Sequence, residues 1–230
     1  METIFSKDSS NSKNYIVFFD LDLTITKSIS GRELARGAYR KGLLTHWDLV
    51  KAIFLSLLFR LKLKDQFKII DAMVSWVKGL PERTVEDLCS EVFNEVIYPS
   101  VYQEAVAELE IHKSKNAKIV ILSSALRTIC QEMAKNLELD DFICSDLEVK
   151  NGYLTGRPLG HLCFGEEKAV RLLKYCEKNN FSLSDVWFYS DSVSDFPALN
   201  VVGNPVCINP DNKLKKMALK RDWTILNWKN

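Results

Sequence analysis

No charge of either sign dominates this chain. Lysine and arginine number 31, aspartate and glutamate 30, for a formal net charge of +1. That balance attracts no polyanion, so nucleic acid is not expected as a partner. Histidine is scarce, and His46, His112 and His161 show no ligand spacing. Structural or solvated roles are expected for all three, with His161 nearest the cleft. The six cysteines are scattered without a CxxC pair; they read as reduced, mostly buried thiols rather than a zinc or disulfide framework. The one membrane-like stretch, Ala52 to Phe59, is far short of the ~20 residues that span a bilayer. The first fourteen residues are polar and lack the apolar core of a secretory signal. They read as a loose tail, and the expected location is cytoplasmic. No internal repeat or low-complexity tract is present.

What is there is apolar mass: 47% of 230 residues, enough for one large domain or a core with an insert. The most informative segment is Tyr15-Ile16-Val17-Phe18-Phe19-Asp20-Leu21-Asp22-Leu23-Thr24. An apolar run rich in β-branched and aromatic residues suits a strand buried on both faces. It ends in two carboxylates one residue apart, and ligands of open α/β sheets bind just outside such strand ends. Further buried strands are expected at Ala117 to Leu122, ending in Ser123-Ser124, at Asp185 to Tyr189, ending in Ser190-Asp191, and at Pro205 to Ile208, with a shorter one near Asp141 to Ser145. Asn151-Gly152 marks a tight hairpin. A helix is expected from Glu166 to about Asn179. Ser30 to about Tyr98 reads as helical, broken at Gly79-Leu80-Pro81, with no convincing strand. Alternating strands and helices imply an α/β fold with a doubly wound, mainly parallel sheet. The expected organisation is a tail over 1–14, a core over 15–29 and 99–230, and a helical cap over 30–98 lying on the carboxyl ends of the strands.

Four polar clusters fall where such a fold would gather them: Asp20/Asp22/Thr24, Ser123/Ser124, Lys168, and Asp191/Asp195. Each alone has an ordinary reading as a cap, a turn or a solvated residue. Together they suit phosphoryl transfer. A carboxylate can attack phosphorus. A Mg²⁺ held by Asp20 and Asp191 can offset the repulsion between carboxylate and phosphate. Ser123 and Lys168 can hold phosphate oxygens, and Asp22 can move the proton.

On these residues the chain resembles the haloacid dehalogenase (HAD) superfamily of phosphohydrolases. Asp20-Leu21-Asp22-Leu23-Thr24 matches its DxDxT motif. Ser123 stands at its second motif, Lys168 at its third, and Asp191 with Asp195 at its fourth. The spacing, the C1-type helical cap and the Asn151-Gly152 hairpin point to subfamily IB, the phosphoserine-phosphatase-like group. The resemblance implies a HAD-like Rossmannoid core and a Mg²⁺-dependent phosphatase acting through an aspartyl-phosphate. It implies Asp20 as nucleophile and metal ligand. Asp22 would be acid/base, its carbonyl also on the metal, and Asp191 the third ligand. Asp195 would hold Lys168 or a metal-bound water, with Thr24 behind the motif. Phosphate would lie on Ser123, Lys168 and the N–H groups of Leu21, Asp22 and Ser124, with Arg157 a substrate-contact candidate.

The departures concern the substrate, expected to be a small phosphorylated molecule. Where phosphoserine phosphatases carry a cap Glu for the substrate ammonium, this chain has Ile29, with Glu33 the nearest acid. Where they carry a cap Arg for the carboxylate, it has Met73, although Arg32 or Arg36 could serve. Phosphoserine is therefore the alternative, and a lipid or other small organic phosphate the expected substrate. Ala52 to Phe59 is edged by Lys51, Arg60, Lys62 and Lys64; it reads as a buried cap helix or as a face for lipid contact. Trp47, Phe67 and Trp76 are expected to pack the cap helices together or to line the substrate entrance. A phosphotransferase and a catalytically weak binding protein are the remaining rivals.

Overall fold

The computed structural model describes residues 13–48, 50, 54 and 74–229. Its centre is a six-stranded parallel sheet in the order β3-β2-β1-β6-β7-β8. The strands are β1 (Ile16–Phe19), β2 (Lys118–Leu126), β3 (Asp141–Ser145), β6 (Val186–Ser190), β7 (Asn204–Ile208) and β8 (Thr224–Leu226). Between β3 and β6 the hairpin β4 (Leu147–Lys150) and β5 (Tyr153–Pro158) forms a separate two-stranded sheet. At its turn Asn151 has φ 54° and Gly152 φ 79°, the left-handed pair that a two-residue hairpin demands.

β1 sits in the middle because both its faces are apolar. Alternation along the strand sends Val17 and Phe19 to one face and Ile16 and Phe18 to the other. Onto the first face pack α1 (Ser30–Arg40), α2 (Glu82–Val92), α3 (Gln103–Ser114) and α4 (Arg127–Asn136). Onto the second pack α5 (Glu166–Lys178), α6 (Phe196–Leu199) and α7 (Asn212–Lys220). The first cluster runs without a break from β1 through Leu34 and Ala38 of α1 to Leu88 and Val92 of α2. One continuous core therefore anchors the helices that follow the first motif. The hairpin also ties to that region: Leu154 N donates to Leu80 O at 2.9 Å and Gly79 N to Leu154 O at 2.8 Å. The chain proceeds outward from β1 through β2 to β3, then returns to the other side of β1 for β6, β7 and β8. The reversal puts the switch point at the carboxyl ends of β1 and β6, where a doubly wound sheet opens its crevice.

Several expectations need adjustment. β2 does not stop at Ser123-Ser124 but runs on to Leu126, with its pairing to β3 irregular between Leu122 and Leu126. A further strand, β8, follows Pro205 to Ile208; its three half-exposed to exposed residues form an edge that no apolar run announces. Trp47 does not pack helices together: it is 79% exposed. Trp76 does pack against the first cluster. Phe67 and Met73 lie outside the described residues, as do Ala52 to Phe59 apart from Phe54.

Below the crevice a polar chain crosses the core. Tyr15 and Tyr189 hydroxyls bond to His112 Nδ1 and Nε2 at 2.7 and 2.8 Å, and the Tyr189 hydroxyl donates to Glu108 Oε1 at 2.7 Å. Tyr189 spends its one proton on Glu108, so His112 donates through Nε2 and accepts from Tyr15 through Nδ1. Burial holds the His112 pKa below its ordinary value, ahead of the opposing pull of Glu108 and the repulsion of Lys115. The sign for stability follows. The unfolded chain takes up a proton below about 6.5 that the folded chain refuses, so stability is full above that pH and falls below it. We expect the His112 ring signals in a nuclear magnetic resonance titration to change at lower pH than those of an unperturbed imidazole, about 6.5. A ring that titrates at or above that pH would refute the assignment.

Candidate active site

The site begins where β1 ends. Asp20 N donates to Tyr189 O at 2.9 Å, which locks the residue beside β6. The chain then turns tightly on one acceptor: Leu21 O receives the N–H groups of Thr24, Ile25 and Thr26 at 3.3, 2.9 and 3.0 Å. Leu23, just past the second acid of the motif, is left-handed at φ 58°. For a leucine that costs roughly 1–2 kcal/mol, strain of a kind that concentrates at functional turns. The turn aims Asp22 at the start of α1. Its Oδ1 accepts from Ser30 N and its Oδ2 from the Ser30 hydroxyl, both at 2.9 Å. The residue preceding α1 is Ile29, which has no side-chain acceptor, so Asp22 caps the helix from outside.

Lys168 reaches the site from the first turn of α5. Gly165 precedes that helix with φ 60° and ψ −126°, a conformation essentially confined to glycine. Lys168 is 2% exposed. Its Nζ lies 2.8 Å from Asp20 Oδ1 and 2.7 Å from Asp195 Oδ2. Burial works against its charge, but the Asp195 and Asp20 carboxylates outweigh it and hold the ammonium well above the ordinary lysine range. Asp195 Oδ2 also accepts from the Ser190 hydroxyl at 2.7 Å. Asp191 leads out of β6, its carbonyl accepting from Asp211 N at 2.9 Å, while Asp211 Oδ2 accepts from Val193 N at 2.7 Å.

Four carboxylates thus share a buried pocket with one ammonium. Burial, then the Asp20 charge, pushes Asp22 up to about 7 against the Ser30 hydrogen bonds. Burial, then the charges of Asp20 and Asp195, pushes Asp191 up to about 8. This excess of hard oxygen donors fits a divalent cation of the Mg²⁺ kind. Among the described residues no three His, Cys, Asp or Glu side chains form a ready-made cage. A set of two carboxylates and one carbonyl does not require one, because Mg²⁺ retains water and substrate oxygens.

Other expected residues are placed as follows. Register sets Phe19 opposite Ile121, so Ser123 stands two residues further along β2, beside the turn that follows Asp20. It is fully buried, and its Oγ accepts from Ala125 N at 3.3 Å. Ser124 beside it is exposed. Thr24 is fully buried, and its Oγ1 has no hydrogen-bond partner among the described residues. Arg157 is exposed on β5, near Glu148, and makes no hydrogen bond or ion pair with the site acids among the described residues. Glu33 is 8% exposed, and its Oε1 lies 3.1 Å from Arg32 Nε and 3.0 Å from Arg36. Beside Leu23 and Asp191 opens a cleft of about 390 Å³, lined also by Tyr102, Asn209, Lys215 and Trp228. Sequence reasoning missed Ser30, Ser190 and Asp211. Only Ser190, inside the fourth motif, carried a signal.

A parallel doubly wound sheet with paired acids and a buried lysine at its switch point places this chain among the α/β proteins that do their chemistry at strand ends. The comparisons give the particular family. The haloacid dehalogenase-like hydrolase model matches residues 17–200, and the chain belongs to that family. A probable phosphatase of Mycobacterium tuberculosis is 27% identical over 92% of this chain and 74% of its own. A Bordetella pertussis protein of unknown function superposes with a TM-score of 0.83 at 24% identity, covering 94% of this chain and 99% of that one. A substrate-bound phosphoserine phosphatase superposes with a TM-score of 0.72 at 20% identity, covering 93% of each chain. Among the described residues no helix is long and apolar enough to cross a membrane.

Proposed function

We propose that this chain is a Mg²⁺-dependent phosphomonoesterase with Asp20 as nucleophile and Asp22 as general acid/base. The observation that carries the reading is the contrast between the two acids. Asp20 faces the Lys168 ammonium at 2.8 Å, whereas Asp22 is pushed up to about 7 and so carries a transferable proton near neutrality. In the first step an Asp20 oxygen bonds to phosphorus, the bond to the leaving oxygen breaks, and Asp22 donates its proton to that oxygen. In the second, Asp22 takes a proton from water, the water oxygen bonds to phosphorus, and the aspartyl bond breaks to release phosphate and restore Asp20. Lys168, the Ser123 hydroxyl and the N–H groups of Leu21, Asp22 and Ser124 hold phosphate oxygens. Asp195, itself held by Ser190, fixes Lys168. Asp20, Asp191 and the Asp22 carbonyl would hold Mg²⁺, which would supply the counter-charge that lets a phosphate dianion approach a carboxylate.

The region behind Ser30 supports a substrate without an amino-acid head group. Ile29 is apolar, and the Glu33 carboxylate is already engaged by Arg32 and Arg36. Among the described residues an ammonium would meet no unpaired carboxylate there, and it would lose hydration without return. A lipid or other small organic phosphate is the reading; phosphoserine is the second, favoured by the likeness to a phosphoserine phosphatase. Both are tested with the purified chain and Mg²⁺ on phosphoserine, sugar phosphates, nucleotides and a short-chain phosphatidylglycerophosphate. We expect at least a tenfold higher kcat/KM, about 1.4 kcal/mol, for a substrate lacking the ammonium. A phosphoserine preference would overturn the substrate reading, and Mg²⁺-independent or absent hydrolysis the mechanism.

A further inference from the structure

Resting on the reaction proposed above, we infer that the cleft beside Asp191 receives the part of the substrate beyond its phosphate, and that Lys215 there selects a second anionic group. The cleft lies at the catalytic end of the sheet. Leu23 follows β1, Asp191 follows β6, Asn209 follows β7 and Asn227 follows β8, and all four line it. It is therefore an extension of the crevice outside the carboxyl ends of the strands, sharing Asp191 with the acid cluster. Its volume, about 390 Å³, stands at the lower end of the range for small-molecule sites, roughly 300–1,000 Å³.

The walls offer donors. Lys215 is exposed in the first turn of α7, and its ammonium makes no hydrogen bond or ion pair among the described residues. Tyr102, only 3% exposed, also lines the cleft. Its hydroxyl oxygen accepts from Asn209 Nδ2 at 3.5 Å, and its own proton has no acceptor among the described residues. The Asn209 amide cannot turn to supply one, because its Oδ1 accepts from Trp228 N at 2.9 Å. An ammonium without a carboxylate and a buried hydroxyl proton without an acceptor, in one cleft, suit a ligand oxygen that carries negative charge. Asp191 is the one acid of the lining, and the proposed Mg²⁺ would offset its charge.

Lys215 is also held in register with the reacting centre. Its N–H donates to Asp211 O at 2.8 Å, and Asp211 N donates to Asp191 O at 2.9 Å. Asp211 has no charge to spare for the lysine. Its Oδ1 accepts from Lys213 N and Leu214 N at 2.8 and 2.9 Å, and its Oδ2 from Val193 N at 2.7 Å. Leu214, fully buried, anchors the same turn. Two hydrogen bonds thus tie the backbone that bears the ammonium to the backbone that bears the proposed metal ligand, and a substrate reaching both is held at a fixed span.

The test compares three substrates on the full chain with Mg²⁺. Glycerol 3-phosphate ends in a neutral hydroxyl. 3-Phosphoglycerate carries a carboxylate at that end, and glycerol 1,3-bisphosphate a phosphate, so the two arms distinguish which anion the cleft takes. At least one of them should exceed glycerol 3-phosphate in kcat/KM by roughly tenfold or more, the worth of a hydrogen bond between charged groups. Lys215→Met should bring that ratio close to one, with the loss in KM, and Lys215→Arg should keep most of it. No advantage for either anion, an advantage that Lys215→Met leaves intact, or an equal fall on all three substrates would overturn the inference. Hydrolysis of an aryl phosphate by the wild-type chain separates the two levels. Where it is present without the preference, the cleft assignment alone fails; where it is absent along with hydrolysis of all three substrates, the proposed reaction fails and takes the inference with it.

Discussion

Asp20→Asn is expected to lower hydrolysis of any phosphomonoester by about 10⁴-fold or more, the range seen when a nucleophile is deleted from a cooperating set. The amide has nearly the shape of the carboxylate but cannot form the bond to phosphorus. The fold should tolerate it. The amide oxygen can still accept from Lys168, which keeps its second partner, Asp195, at 2.7 Å. One negative charge also leaves a pocket in which Asp22 and Asp191 are pushed up partly by Asp20 itself. The thermal midpoint should therefore stay level or rise. Because the Asp20 charge helps to raise Asp22, the variant should bind a proton at Asp22 less readily, and a titration should find that group below about 7. The measurements are aryl phosphate hydrolysis with Mg²⁺ and a melting curve on one preparation. Activity above roughly one hundredth of wild type in the folded variant would refute Asp20 as nucleophile.

How far the sequence foretold this site depended on where the information resides. β1, β2, β6 and β7 are read from apolar runs because a strand buried on both faces has no choice of composition. β8 is three residues long and half-exposed to exposed; nothing in its composition demands a strand, and only the β7 edge makes it one. The acids were legible because their chemistry restricts residue type at strand ends, and Lys168, on α5, because it falls in order between them. Ser30 was not. A serine opening a helix is ordinarily a cap, and only the fold shows that its hydroxyl serves Asp22 from eight residues away. Asp211 was hidden likewise, since its cap of α7 is local and its bond to Val193 N is tertiary. Trp47 failed for another reason: helical spacing identifies an apolar side but not whether anything covers it. The division into a tail over 1–14, a core over 15–29 with 99–230 and a helical cap over 30–98 stands as a proposal, with 1–12, 49, 51–53 and 55–73 outside the described residues, while the core is continuous from β1 into α1 and α2.

Lys168→Met is expected to damage both stability and turnover, and the two losses can be separated. Methionine fits the stem of the lysine but leaves Asp195, 1% exposed, and Asp20, 7% exposed, without their cation. Removing one partner of a buried pair costs about 3–5 kcal/mol. At about 2–4 °C per kcal/mol for a chain of this size, the thermal midpoint should fall by on the order of 10 °C. The loss should depend on pH in a defined sense. Without the ammonium, the folded Asp195 holds a proton more tightly than the unfolded chain does. Raising pH above the ordinary carboxylate range then favours unfolding, so the deficit relative to wild type should be larger at about pH 8 than at about pH 5. A deficit that grows as pH falls would refute the pairing. Adding Asp195→Asn to Lys168→Met removes the stranded charge, since the amide can still accept from the Ser190 hydroxyl, 2.7 Å from the oxygen it replaces. Stability should recover in part through that coupling. Activity should not, because the double variant still lacks the ammonium proposed to hold phosphate oxygens beside Asp20. Recovery of turnover along with stability would show that Lys168 serves the fold alone.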